Sequence, residues 1–200
     1  MNQLLTLARA EHGAGETAAL ARLDLDRLAR SVVQEWVAPA LAQGIDLGYE
    51  AAQGDCHIQG APMLLREMLN NLIDNAMRYC TISEGGPAQY PAGADPGSQE
   101  TAAERAVTVR LQRKGRDVVL EIEDTGPGVP PQERTRVFER FYRVLGTRQD
   151  GSGLGLAIVR EIAAQHKAAL ALADARPERP WRPGALFRVT FAHAPDASAD

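Results

Sequence analysis

Strand patterns in this sequence come in adjacent pairs and not in regular alternation with helices. Apolar and polar residues alternate over 107–111 and again over 118–123, and the turn sequence Lys-Gly-Arg-Asp at 114–117 lies between them. A second pair of strand patterns covers 168–173 and 185–192. Hairpins of this kind build antiparallel sheets, whereas strand–helix–strand units build parallel ones. The predicted fold class is therefore α/β (α+β): a two-layer sandwich with a mixed, largely antiparallel sheet that helices cover on one face.

Three segments have helical periodicity and account for those helices. The first covers about 25–42, with Asp24 as its N-cap. The second begins at Pro62, which suits a first helical turn, and continues to about Tyr79. The third covers 153–166. Apolar residues recur at intervals of three and four in each segment, so one face of each helix is expected to be buried.

The remaining segments complete the outline. Residues 45–49 and 56–59 are short strand patterns, and we expect them to pair with each other. Residues 81–106 are rich in Gly, Pro, Ala and Ser and have no periodicity, which predicts a flexible surface insert. The tail, 193–200, is expected to be disordered.

Length and composition narrow the class of protein. A chain of 200 residues suggests one domain, and 44% hydrophobic residues are enough for a packed core. The net charge of −4 provides no basic patch, which argues against nucleic acid as a partner. Cys56 and Cys80 are interpreted as reduced thiols in a reducing compartment. No run of about 18 apolar residues is present, so the chain itself is not expected to span a membrane.

One face of the second helix is polar although its neighbours are apolar. Glu67, Asn71, Asn75 and Arg78 follow one another at steps of four, four and three, which places them on one side of the helix. An Asn amide oxygen is a hard, neutral ligand, and Mg²⁺ usually takes one or two protein oxygens together with phosphates and water. The face therefore predicts a wall for a metal ion and phosphates. The alternative is an ordinary solvated helix face.

Asp124 ends a buried strand and leads into Gly126 and Gly128. A carboxylate at this place could accept a hydrogen bond from the exocyclic amine of adenine, whereas guanine presents a carbonyl at that edge. Two acceptors that face each other cost roughly 1–3 kcal/mol. The glycines would let the backbone approach the base closely. The alternative is a tight turn that Asp124 caps.

A glycine repeat opens the third helix, with Gly151, Gly153 and Gly155 at alternate positions. Glycines let backbone N–H groups approach an anion, and a helix N-terminus carries positive potential. The repeat follows a long loop and not a strand, which distinguishes it from a dinucleotide-binding fingerprint. It is interpreted as a phosphate-binding helix start, with a glycine-rich hinge as the alternative.

The long polar stretch 125–152 is interpreted as a lid. Phe138 and Phe141 would pin it to the body of the domain, and Arg143 and Arg148 could reach phosphates. The alternative is a pair of core phenylalanines with solvated arginines.

The four histidines offer no catalytic or metal site by pattern. His12, His57, His166 and His193 are scattered, and no nearby Asp or Glu places any of them in a metal or triad pattern. Each is interpreted as a surface or strand residue.

Four stretches in this order resemble the catalytic ATP-binding domain of sensor histidine kinases, within the wider group of Bergerat-fold ATPases. They are LLREMLNNLIDNAMRY, EIEDTGPGVP, RVFERFYR and GSGLGLAIVREIAAQH. The resemblance implies ATP and Mg²⁺ as cofactors, with Asn71 as the metal ligand, Glu67 as a polar contact near the metal and Asp124 on the adenine amine. The residues expected to contact the nucleotide are Asn71, Asn75, Arg78, Tyr79, Asp124, Gly126, Gly128, Arg143, Arg148, Gly151, Gly153, Leu154, Gly155 and Leu156.

The same resemblance implies an activity and partners. The domain would transfer the γ-phosphoryl group of ATP to a histidine on a phosphoacceptor hairpin domain, and a response regulator would receive it next. Residues 1–15, with the stretch LLTLARAE, resemble the end of the second hairpin helix, and 16–192 the catalytic domain. The acceptor motif, a His followed by an acidic residue, is absent, because His12 precedes Gly13.

A cytoplasmic domain of a homodimer in the bacterial inner membrane is the implied setting, and this chain alone is expected to be monomeric. Two alternatives stay open: another Bergerat-fold ATPase or serine kinase, and a nucleotide-binding module without catalysis.

Overall fold

A computed structural model of the chain describes residues 20–81, 105–144, 152–180 and 182–195. The predicted hairpin end at 1–15, the insert apart from its two ends, and the predicted site residues Arg148 and Gly151 lie outside these ranges. The elements in chain order are β1 (Ala21–Asp24), α1 (Leu25–Ala42), β2 (Asp46–Glu50), β3 (His57–Gly60), α2 (Pro62–Cys80), β4 (Ala106–Lys114), β5 (Asp117–Asp124), α3 (Gly155–Gln165), β6 (Ala169–Asp174) and β7 (Ala185–Ala192).

Five of the strands form one mixed sheet in the order β2-β4-β5-β7-β6. β2 and β4 are parallel, and the three other neighbouring pairs are antiparallel. α2 packs on β4 and β5, α3 packs on β6, and α1 packs on β2. The predicted two-layer sandwich with a largely antiparallel sheet is confirmed, and so are both predicted hairpin strand pairs.

The predicted pairing of 45–49 with 56–59 is wrong. β3 pairs antiparallel with β1, with Ala21 opposite Gly60, and β2 lies parallel to β4, with Asp46 opposite Ala106. An alternating pattern identifies a strand but carries no information on its partner. β1 itself was not predicted, because four residues are too few to show a period.

The helix starts follow from local sequence. The Asp24 side chain accepts a hydrogen bond from the backbone N–H of Arg27 at 3.2 Å, which confirms it as the N-cap of α1. α2 has Pro62 in its first turn, where a missing N–H costs nothing. Its inward face is fully buried, and each large apolar side chain there contributes roughly 1.5–3 kcal/mol. That face consists of Leu65, Met68, Leu69, Leu72, Ile73 and Ala76. Among the helices of the described ranges, none combines the length and apolarity that a membrane crossing requires.

His166 joins the start of α2 to the end of α3, so its interpretation as a surface or strand residue is wrong. It is buried directly after α3. Its Nε2 accepts a hydrogen bond from the backbone N–H of Ala61 at 3.0 Å, and its Nδ1 donates to the carbonyl of Ile162 at 2.7 Å. The ring is therefore neutral, with the proton on Nδ1. Burial lowers the pKa of His166, because protonation would cost the desolvation of a cation and the bond from Ala61.

We expect this histidine to make folding stability depend on pH. Because the pKa of His166 is lower in the folded than in the unfolded chain, its contribution is complete above the unfolded pKa of about 6.5 and is lost as the pH falls below it. The free energy of unfolding from urea titrations at about pH 7.5 and about pH 5 measures the loss. His166→Gln offers an acceptor and a donor without titrating, so it should lose less stability on acidification. Equal losses in both proteins would contradict this role.

Candidate functional site

Asn71 lies where α2 meets the first residue of α3. Its side chain is 8% exposed, and its Nδ2 donates to the Glu67 carbonyl at 2.9 Å and to Glu67 Oε1 at 3.2 Å. These bonds fix the amide so that Oδ1 faces α3, where a Cβ at Gly155 would lie only 3.0 Å from it. A side chain at position 155 would therefore crowd the one acceptor atom of the amide, which explains the glycine.

The first turn of α3 is suited to an anion. No side chain in the described residues caps it by a hydrogen bond, and no acidic residue lies in its first turn. The first N–H groups of a helix have no partner within the helix, and the helix dipole favours negative charge there. Leu154 is buried beneath this turn, while Gly153 and Leu156 are half-buried. Ser152 Oγ accepts from the N–H of Leu154 at 3.3 Å and shapes the approach to the helix.

The rest of the polar face of α2 leads away from this point. Asn75 is half-buried, one turn beyond Asn71. Arg78 is exposed and forms an ion pair with Asp74, one turn earlier, at 2.8 Å. A phosphate would compete with this solvent-exposed pair, which is weak. The predicted roles of Asn75 and Arg78 toward phosphates stay predictions.

Asp124 carries a buried acceptor that lacks a donor. The residue is 1% exposed at the end of β5, and its Oδ1 accepts from the N–H groups of Gly126 at 2.7 Å and Ala185 at 3.3 Å. Its Oδ2 is buried and has no hydrogen-bond partner within the described part of the chain. An unsatisfied buried acceptor costs roughly 1–3 kcal/mol or more for a charged group. Asp124 Oδ2 can therefore accept a hydrogen bond from a donor group on a ligand.

Burial raises the pKa of Asp124 to about 6. The N–H groups of Gly126 and Ala185 oppose this rise, as do the charges of Arg176 and Arg182. At neutral pH the carboxylate is therefore ionised. Since Oδ1 is already held by two donors, a proton taken up at lower pH would lie on Oδ2 and block the free acceptor.

The turn after β5 packs directly against the end of α2. A Cβ at Gly126 would lie 2.7 Å from the carbonyl oxygen of Tyr79, so only glycine permits this contact. Gly128 packs in turn against Pro183 and Gly184. The turn that carries Asp124 therefore packs against the C-terminal end of the helix that carries Asn71. That the two positions belong to one nucleotide site stays a prediction.

The segment predicted as a lid is held at one aromatic residue and not at two. It contains two short 3-10 turns, Pro131–Glu133 and Arg136–Phe138. Phe138 is buried and packs edge-on against Phe187, with 6.3 Å between ring centroids, which confirms it as an anchor. Phe141 is 65% exposed with φ of 62°, so its predicted anchoring role is wrong.

The backbone explains the orientation of Phe141. Its N–H donates to the carbonyl of Gly153 at 2.9 Å, which joins the interior of the lid segment to the residue directly after it and leaves the ring facing outward. The neighbouring Tyr142 hydrogen-bonds Glu133 and lies under Arg136, with the guanidinium 4.4 Å from the ring centroid, so these contacts of Tyr142 lie within the lid segment itself. Arg143 is exposed, and its predicted reach to phosphate stays a prediction.

The described residues contain no cluster of acidic, His or Cys side chains of the kind that binds metal ions. The predicted role of Asn71 Oδ1 as a ligand of Mg²⁺, with the remaining ligands from phosphate and water, stays a prediction. His57 and His193 both contact Asp55 but belong to no metal-binding group among the described residues, and His57 lies on β3, as the sequence interpretation expected of a surface or strand residue.

Sequence reasoning missed the residues of the β6–β7 connection that complete the Asp124 turn. The N–H of Gly184 donates to the carbonyl of Gly126 at 3.0 Å, and a Cβ at Gly184 would lie 2.1 Å from the Asp124 carbonyl oxygen. Arg182 also contacts this turn. The available signal was a glycine just before the last strand, within a Pro- and Arg-rich turn.

Comparisons with known proteins identify the family to which the chain belongs. The family described as "Histidine kinase-, DNA gyrase B-, and HSP90-like ATPase" matches residues 60–195. Sensor protein QseC of Salmonella typhi is 34% identical over 166 residues, which are 83% of this chain and 31% of QseC. The chain thus spans about a third of that relative's length.

Two solved structures extend the comparison to the fold. The mycobacterial sensor histidine kinase MprB is 28% identical with a TM-score of 0.65, and the match covers 88% of this chain and 99% of that one. Full-length ShkA in complex with AMPPNP is 26% identical with a TM-score of 0.69, over 96% of this chain and 35% of ShkA.

Proposed function

Because this chain belongs to the family of histidine kinase-, DNA gyrase B- and HSP90-like ATPases, we propose that it binds Mg-ATP and delivers the γ-phosphoryl group to a histidine. Within that family it is the catalytic ATP-binding domain of a two-component sensor histidine kinase. The acceptor would be an imidazole on the protein's phosphoacceptor hairpin domain. The whole protein's activity and partners form part of this proposal, because the chain spans about a third of its relative QseC.

The free acceptor of Asp124 is the observation that carries the proposal. A buried carboxylate oxygen without a donor fits the exocyclic amine of adenine, which is a donor. Guanine would set its carbonyl against the same oxygen. That ShkA was solved with AMPPNP, an adenine nucleotide, supports the same assignment.

The opposite end of the site suits the triphosphate and its metal. Asn71 would offer Oδ1 to Mg²⁺, and the N–H groups at the start of α3 would hold phosphate oxygens. We assign to Glu67 the orientation of the Asn71 amide, through the bond from Nδ2. The further residues proposed to line the nucleotide are Asn75, Arg78, Tyr79, Gly126, Gly128, Arg143, Arg148, Gly151, Gly153, Leu154, Gly155 and Leu156.

The chain's own contribution to the reaction is position and charge. When bound, Mg-ATP supplies the phosphoryl group and the cation that offsets its charge. Asp124 would fix the adenine base, and Asn71 would fix the triphosphate end through the metal. The γ-phosphoryl group would then be held in one orientation toward the imidazole, which is itself the nucleophile. The lid segment, proposed as 125–152, would exclude water from the site.

The proposed assembly follows from the same function. The hairpin domain of the protein and a response regulator are the partners, within a homodimer at the bacterial inner membrane that places this domain in the cytoplasm. Residues 1–15 would be the end of the hairpin and 16–192 the catalytic domain. The chain alone would be monomeric.

Phosphate transfer from γ-labelled ATP tests the proposal. None of the four histidines precedes an acidic residue, and His166 is buried, so we expect no acid-labile phosphate on the chain alone. Adding the protein's hairpin domain in trans should place acid-labile phosphate on that hairpin. A hairpin with its acceptor His changed to Gln is the control. Phosphohistidine at His57 or His193 of the isolated chain, or no transfer to the intact hairpin, would contradict the proposal.

A further inference from the structure

Arg182 connects the two halves of the site through its guanidinium group. It lies in the β6–β7 connection, residues 175–184. Its Nε donates to the carbonyl of Thr125 at 2.6 Å, and its Nη2 donates to the carbonyl of Cys80 at 3.0 Å. Cys80 is the last residue of α2, and Thr125 directly follows Asp124. One planar group therefore spans from the end of the Asn71 helix to the start of the Asp124 turn.

The positive charge of Arg182 lies beside several groups that carry negative charge or partial negative charge. The last carbonyls of a helix have no donor within the helix and carry partial negative charge. The Tyr79 carbonyl is pressed against Gly126 in the same region, and the Asp124 carboxylate is buried next to it. Charge-assisted bonds from a guanidinium are roughly twice as strong as neutral ones, and its fork fixes two acceptors in one plane.

We infer that Arg182 is a positioning residue for the nucleotide, which sets the separation between the helix that carries Asn71 and the turn that carries Asp124. The inference rests on the proposed function, since these two elements hold opposite ends of ATP in it. A weaker polar link between them is the interaction of Cys80 Sγ with Thr125 Oγ1 at 3.2 Å. Without the two hydrogen bonds of Arg182, the helix and the turn could shift relative to each other. ATP would then no longer contact Asn71 and Asp124 at the same time.

Because Arg182 is charged, its removal should also change the pH dependence of ATP affinity, which loss of a purely structural contact would not do. The groups that act on Asp124 are Arg176 and Arg182 from the connection, the N–H groups of Gly126 and Ala185, and the Cys80 thiol, which is neutral because burial raises its pKa. The two guanidinium charges oppose the rise that burial imposes on the pKa of Asp124. Without Arg182, the pH at which ATP affinity is half lost should move upward from about 6.

Titration of the 200-residue chain with a fluorescent ATP analogue and Mg²⁺, over a range of pH, tests the inference. Arg182→Ala should bind about tenfold more weakly, the loss expected for one charge-assisted contact, and its pH midpoint should rise. Arg179→Ala is the matched control, because Arg179 is an exposed arginine of the same connection. It should keep the unsubstituted affinity and midpoint.

A lower melting temperature in Arg182→Ala with unchanged affinity and midpoint would overturn the inference, because the residue would then only stabilise the fold. If Arg182→Ala does not fold, Arg182→Gln decides by the same two readouts, since it keeps an amide donor and loses the charge. Unaltered binding in these variants leaves the proposed function in place. Absence of binding by the unsubstituted chain would overturn the proposed function and this inference together.

Discussion

Asn71→Ala is expected to remove Mg²⁺-dependent ATP binding from a chain that stays folded. The substitution deletes the oxygen that faces the start of α3 and leaves the Glu67 carboxylate without its amide donor, beside the proposed phosphates. We expect the affinity in Mg²⁺ to fall by about 100-fold, to the value without the metal. Alanine is the better helix former, so α2 should persist.

Calorimetric titration with ATP, with and without Mg²⁺, measures this effect. Asn70→Ala is the matched control on the same helix. The Asn70 Oδ1 accepts a hydrogen bond from Trp36 Nε1 at 2.9 Å, so this asparagine serves the packing of α1 on α2. It should lower thermal stability and keep the metal dependence. An unchanged Mg²⁺ dependence in Asn71→Ala would refute the metal role of Asn71.

Asp124→Asn should reduce the preference for ATP over GTP by about tenfold or more. The N–H groups of Gly126 and Ala185 hold the Oδ1 position and will select the amide oxygen for it. The amide nitrogen then takes the Oδ2 position and presents a donor to the adenine amine, itself a donor. ATP affinity should fall, while the guanine carbonyl gains a donor.

Competition of ATP and GTP against a fluorescent adenine nucleotide measures the discrimination. The fold should tolerate the change, because burial of the ionised carboxylate is unfavourable, as its raised pKa of about 6 indicates. Asp117→Asn, at the exposed beginning of the same strand, is the control and should discriminate as the unsubstituted chain does. Equal displacement by ATP and GTP in the unsubstituted chain would disprove the adenine assignment.

The sequence predicted those features whose cause is local. A spacing of four, four and three fixes a helix face, so the alignment of Glu67 and Asn71 follows from helix geometry alone. Asp124 at the end of an apolar strand, before two glycines, predicted a buried carboxylate at a close turn. Both were found as expected, because the residues that determine them are adjacent along the chain.

Features that depend on distant partners could not be predicted. The parallel pairing of β2 with β4 places Asp46 opposite Ala106, residues far apart in the chain, and an alternating pattern does not identify such a partner. Phe141 faces outward where its N–H is bonded to Gly153, directly after the lid segment. The bonds of Arg182 reach across 57 and 102 positions, and an arginine in a Pro-rich turn carries no sign of its acceptors.

A structure of this chain with Mg²⁺ and a non-hydrolysable ATP analogue would test the assignment of Asp124 and Asn71 to opposite ends of the nucleotide. We expect the adenine amine within about 3 Å of Asp124 Oδ2, and the metal and phosphates between Asn71 Oδ1 and the first turn of α3. Adenine bound away from Asp124, or phosphates bound away from Asn71 and α3, would contradict this assignment.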